Sequence, residues 1–70
     1  MNRQPVVSSN LASVGYDPAT SMLEIEFNNG GIYQYSNVPE SVYSGLMRAS
    51  SKGTYFHDYI KERYSYRKIG

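Results

Sequence analysis

The sequence predicts an α+β domain, in which a three-stranded antiparallel meander is covered on one face by two short helices and the C-terminal tail can add a fourth strand at the edge. Three observations predict it. Met22-Leu23-Glu24-Ile25-Glu26-Phe27 and Ile32-Tyr33-Gln34-Tyr35 alternate with a period of two around Asn28-Asn29-Gly30-Gly31, the strongest turn signal in the chain. From Val38 onward the apolar residues recur at helical spacing, in two separate stripes. Seventy residues without cysteine leave room for one small core with no disulfide to staple it.

The elements follow in order. Residues 1–7 are polar, contain Pro5 and show no period, so they are expected to form a loosely ordered arm ahead of a single domain over residues 8–69. Leu11 to Tyr16 suits a first strand, with Ala12, Val14 and Tyr16 on one face and Leu11, Ser13 and Gly15 on the other. Asp17-Pro18-Ala19-Thr20 turns the chain, because Pro18 presets a type I turn and the Asp17 carboxylate reaches a backbone donor two residues on.

The second hairpin has two competing registers, and a one-residue slip exchanges its faces. A two-residue Asn29-Gly30 turn pairs Phe27 with Ile32. A three-residue Asn28-Asn29-Gly30 loop with Gly30 left-handed pairs Ile25 with Tyr33 and Leu23 with Tyr35. The second is preferred, since it gathers Leu23, Ile25, Phe27, Tyr33 and Tyr35 on the core face and misplaces only Ile32.

Pro39 at the first helical position and Glu40 behind it start a helix whose stripe is Val42, Leu46 and Ala49, flanked by Tyr43 and Met47. Gly45 weakens its middle and implies close packing there. Ser50-Ser51-Lys52-Gly53 ends that helix and caps a second, carrying Tyr55, Phe56, Tyr59 and Ile60. The tail Tyr64-Ser65-Tyr66-Arg67-Lys68-Ile69 alternates again and can form an edge strand or lie across the sheet.

Composition narrows the function classes. Without cysteine, and with His57 as the only histidine, neither a structural zinc site nor any other metal site is expected, and no glycine loop marks a cofactor. No apolar run approaches a membrane span and no signal peptide is evident, so a soluble cytoplasmic protein is expected. Glu24 and Glu26 share a strand face as paired catalytic carboxylates would, but alternating Glu is the ordinary dress of a wet face. His57 and Asp58 are neighbours that point apart on a helix, so no catalytic role is expected.

Charge is distributed unevenly. Residues 1–47 set Arg3 against Asp17, Glu24, Glu26 and Glu40, a net −3, whereas residues 48–70 set Arg48, Lys52, Lys61, Arg63, Arg67 and Lys68 against Asp58 and Glu62, a net +4. The interleaving of Lys61, Arg63, Arg67 and Lys68 with Tyr64 and Tyr66 suits RNA, since cations hold phosphates while aromatic faces stack unpaired bases. Lys52-Gly53-Thr54-Tyr55-Phe56 shares its basic-Gly-aromatic start with an RNA-recognition strand motif, but it opens a helix here.

Phe27, Gly30, Tyr33-Gln34-Tyr35, Val38-Pro39, Ala49-Ser50-Ser51-Lys52-Gly53, Tyr55-Phe56, Ile60 and Tyr64, in this order and spacing, closely resemble the KTSC domain. That family occurs at the C-terminus of some lysyl-tRNA synthetases and alone in small bacterial proteins. The resemblance covers about residues 8–69, with His57 where the family pattern would place Asn. It implies a small non-catalytic module, with RNA binding suggested by the synthetase association. The site residues expected for RNA are Lys52, Lys61, Arg63, Tyr64, Tyr66, Arg67 and Lys68. The alternative is a protein-interaction domain, homodimeric through a sheet edge, because a small Tyr-rich sheet with free edges readily pairs with another chain.

Overall fold

The computed structural model describes residues 1–70. Its sheet has five strands, β1 (Gln4–Pro5), β2 (Leu11–Asp17), β3 (Met22–Phe27), β4 (Ile32–Tyr35) and β5 (Tyr66–Lys68), all antiparallel and in sequential order across the sheet. Helices α1 (Glu40–Arg48) and α2 (Lys52–Tyr59) lie between β4 and β5 in sequence. They cover one face, where Leu46, Phe56 and Ile60 meet Leu11, Val14, Leu23, Ile25, Tyr35 and Val38 in a single core. Neither helix is long and apolar enough to cross a membrane.

Two strands more than the expected meander are present. The tail does pair with β4, bringing Tyr66 opposite Tyr35 and Lys68 opposite Tyr33. Residues 1–7, expected as a loose arm, supply the other edge, with Gln4 opposite Val14 and Pro5 opposite Ser13. Two residues, one of them proline, are too little for a periodic signal. Beyond them Asn2 and Arg3 lie on β2, so close that a side chain at Gly15 would meet the Asn2 carbonyl at 2.7 Å.

The β3–β4 register is the three-residue-loop one. Leu23 faces Tyr35 and Ile25 faces Tyr33, the Phe27 N–H donates to the Gly31 carbonyl while the Phe27 carbonyl accepts from the Gly30 N–H, and Gly30 takes the loop's positive φ of 95°. Ile32, on the wrong face for the core, is covered by the C-terminal Gly70. In the first hairpin the Thr20 N–H donates to the Asp17 carbonyl and the Ala19 N–H to the Asp17 carboxylate, closing the expected turn.

The faces of β2 differ from expectation at Leu11. A bulge between Leu11 and Ser13 inserts one residue against β3, so Leu11 and Val14, three apart, both point into the core. Pro39 also sits one position earlier than expected. It is the N-cap of α1, with extended ψ, and its carbonyl accepts from Val42 and Tyr43.

The two helices interlock at a notch. A Cβ on Gly45 would lie 2.2 Å from the Tyr55 hydroxyl and 2.7 Å from its ring, so the absent side chain of α1 is the seat of a ring from α2. Ser51 then caps α2 through the Thr54 N–H, while the Lys52 ammonium returns to the Ala49 carbonyl at the end of α1. Gly45→Ala should therefore destabilise by about 1–2 kcal/mol despite alanine's better helix propensity. In a Tyr55→Ala background the same change should instead stabilise, by up to about 1 kcal/mol. Urea denaturation of the four proteins checks this, and equal effects in both backgrounds would remove the notch from the account.

Candidate functional site

Alternation places Tyr33 and Tyr35 of β4, and Tyr66 of β5, on the helix-bearing face, but the helices do not reach far enough to cover all three. Tyr35 is 4% exposed beneath α2, Tyr33 is half-buried, and Tyr66 is 58% exposed. With Phe27 and Phe56 they make a closed circuit of rings. Tyr33 meets Phe27 at 5.6 Å, Phe27 meets Phe56 at 5.2 Å, Phe56 meets Tyr35 at 5.5 Å, and Tyr66 closes the circuit at 5.6 Å from Tyr35 and 5.9 Å from Tyr33. Most of these contacts are edge-on or tilted, as the ring quadrupoles prefer.

The circuit floors a groove of about 630 Å³, walled on its far side by Tyr64, with the exposed Lys61 and Glu62 at its rim. Across Phe27 and Phe56 lies a second chamber of about 390 Å³, which shares Phe27, Asn29, Phe56 and Lys61 with the groove. Asn10, Asn28 and Asn29 line it from two loops, and His57 comes from α2. Lys61 borders both chambers.

Burial pushes the Tyr35 phenol up to about 12, reinforced by the neighbouring Tyr33 and Tyr66 phenols. Tyr35 thus stays neutral beneath the groove at any physiological pH.

The residues that sequence suggested for RNA do not all assemble here. Lys61, Tyr64 and Tyr66 line the groove. Lys68, two residues from Tyr66, shares its face and lies against the Gly31 turn. Arg67 points to the opposite face, 3.4 Å from the Gln34 side chain. Arg63 belongs to a separate cleft with His57, Asp58, Lys61 and Glu62, and Lys52 is turned onto α1. Phe27, Phe56 and the three asparagines were not singled out, because the site draws on four chain segments whose meeting no local pattern announces.

The acidic residues weighed for catalysis are engaged elsewhere. On the face opposite the groove Glu24, only 6% exposed, is paired with Arg3 and accepts a 2.9 Å hydrogen bond from Gln34. Burial alone would raise its pKa, but the Gln34 and Arg3 hydrogen bonds and the Arg3 charge outweigh it and hold the carboxyl below the ordinary value. Glu26 accepts from Ser13, whose hydroxyl accepts from Arg3. His57 is exposed beside Asp58, 3.3 Å away, so the three groups do not converge.

Comparison with known proteins matches residues 7–64 to the KTSC domain. A Stutzerimonas stutzeri protein is 41% identical over 70 residues, spanning 99% of both chains. A lysine–tRNA ligase of a Nostoc species is 44% identical over 54 residues, which cover 77% of this chain and only 10% of the ligase. Among solved structures, a KTSC domain protein from Yersinia pestis superposes with a TM-score of 0.96 at 51% identity, covering 99% of this chain and 97% of that one.

Proposed function

Because the chain belongs to the KTSC domain family, whose fold occurs both alone and as one tenth of a lysine–tRNA ligase, we propose that it is a non-catalytic module that binds single-stranded RNA in the aromatic groove. The observation that carries this reading is the circuit of five rings with Lys61 at its rim. An unpaired base offers a flat face to Tyr66, and a lysine beside the ring meets the phosphate. Lys61 lines the groove and Lys68 lies on the same sheet face as Tyr66, so if both meet phosphates the expected salt slope for a single strand is about −1.4 in log K against log salt.

Titration of labelled single-stranded RNA and tRNA at two salt concentrations tests this. Tyr66→Ala should weaken binding roughly tenfold without changing the slope, and Lys61→Gln should weaken binding and flatten the slope. Glu62→Gln should tighten binding, because it removes a negative charge from the rim of an anion site, whereas Arg67→Gln on the far face should do little. Absence of binding at low salt, or weakening by Glu62→Gln, would reject the RNA reading.

A second reading, self-association through a sheet edge, has the unpaired outer edge of β5 in its favour. Arg67 and Lys68 oppose it, since an antiparallel copy would bring like charges together. A sedimentation profile showing a dimer that strengthens as salt screens these charges would favour that reading.

A further inference from the structure

Four tyrosines line the aromatic groove, and Tyr35 differs from the other three. It is 4% exposed, whereas Tyr33 and Tyr64 are half-buried and Tyr66 lies largely open. Its ring packs against Phe56 at 5.5 Å and Tyr66 at 5.6 Å, which fixes where the hydroxyl sits. Elsewhere in the core a tyrosine hydroxyl is paired within the protein, as Tyr16 shows by donating to the Val38 carbonyl at 2.6 Å. The Tyr35 hydroxyl has no such partner, yet no polar side-chain atom of the protein is sealed away unpaired. It therefore keeps contact with solvent, and the cavity that Tyr35 lines is the aromatic groove.

An occupant of the groove displaces the water that this hydroxyl otherwise meets. One with no acceptor at that point would leave a buried donor unpaired, so the floor of the groove favours a group that accepts a hydrogen bond. Burial pushes the phenol up to about 12, which keeps it an O–H donor. A nucleotide offers two kinds of acceptor, and charge decides between them. A phosphate among the rings would give up its hydration far from a cation, since the one cation lining the groove, Lys61, stands at the rim beside Glu62. A base is flat and uncharged, and each of the four carries a carbonyl oxygen or ring nitrogen acceptor on an edge. We infer that Tyr35 is a binding residue of the groove, its hydroxyl donating a hydrogen bond to the edge of the base lodged there while the phosphate of that nucleotide stays at the rim. The contact requires an acceptor and chooses no particular base. This deepens the RNA reading and rests on it.

The probes are a uridylate hexamer and the same hexamer with difluorotoluene in place of uracil, which keeps the shape and stacking face of the base but replaces its carbonyl acceptors with fluorine. Both are titrated against the wild type and Tyr35→Phe. The variant keeps the ring and its packing, and the deleted hydroxyl has no partner in the protein, so the fold is retained, which a thermal melt at neutral pH verifies. Tyr35→Phe should weaken binding of the uridylate hexamer about fivefold and leave the difluorotoluene hexamer no weaker. Equal weakening of both would assign the effect to the backbone or the rings, and would overturn the base contact while RNA binding stands. An unchanged affinity for uridylate would do the same. Binding of neither hexamer would overturn this inference together with the reading beneath it.

Discussion

Tyr35→Ala should cost about 3–5 kcal/mol and leave the domain largely unfolded at room temperature. The residue is 4% exposed, sits opposite Leu23 in the sheet and packs edge-on against Phe56, so its removal opens a cavity where β4 meets α2. A domain of this size has only a few kcal/mol of net stability. Circular dichroism and urea denaturation would register the loss, and a variant within about 0.5 kcal/mol of the parent would contradict the burial. Tyr33→Ala should be milder, because Tyr33 is a half-buried wall of the groove.

The same burial has a pH signature. Free tyrosine ionises near pH ~10, whereas Tyr35 in the folded protein is pushed up to about 12. Its contribution to stability is therefore complete below the free value and is lost as pH rises from there towards the folded one. Tyr35→Phe should remove that part of the alkaline decline.

The second large effect is expected far from the groove. Arg3→Ala should destabilise by about 2 kcal/mol, because it leaves Glu24, buried on the open face, with Gln34 as its remaining partner. Glu24 also gives the wild type an acid dependence. Its folded pKa is depressed, so its contribution is complete above the free carboxylate value of ~4.3 and is lost as pH falls through the lower, folded value. Glu24→Gln should flatten that component, and Arg3→Ala should diminish it. Denaturation midpoints measured across the acid range check both, and an unchanged acid profile in Glu24→Gln would contradict the pairing.

What could be read in advance depended on how local the cause was. The β3–β4 register was legible because Asn28-Asn29-Gly30 and the spacing of Leu23, Ile25, Tyr33 and Tyr35 agree on one solution. The Gly45 notch was legible as an anomaly, since a mid-helix glycine implies a close neighbour, although nothing local identified Tyr55. The bulge at Leu11 was not legible from strict alternation, and the apolar pair Leu11 and Val14 was its only trace. Alternation correctly put Glu24 and Glu26 on the face away from the core but could not show that Arg3 covers one of them. The groove lay furthest from any local pattern. Lys61, Tyr64 and Tyr66 were visible as a basic and aromatic stretch, while Asn10, Phe27, Asn28 and Asn29 become part of the same surface only when both hairpins are closed.

The polar chain on the open face has a kinetic consequence. It runs from Arg3, just ahead of β1, through Glu24 and Gln34 to Arg67 of β5, and it spans nearly the whole sequence. Such a link cannot help to bring the chain together, because the meander must be paired and the tail returned past both helices before its last member is in reach. A link completed after the rate-limiting step must be broken before that step is reached in reverse. Its contribution therefore falls on the lifetime of the folded state, and the stability lost in Arg3→Ala should appear as faster unfolding with little change in the rate of folding.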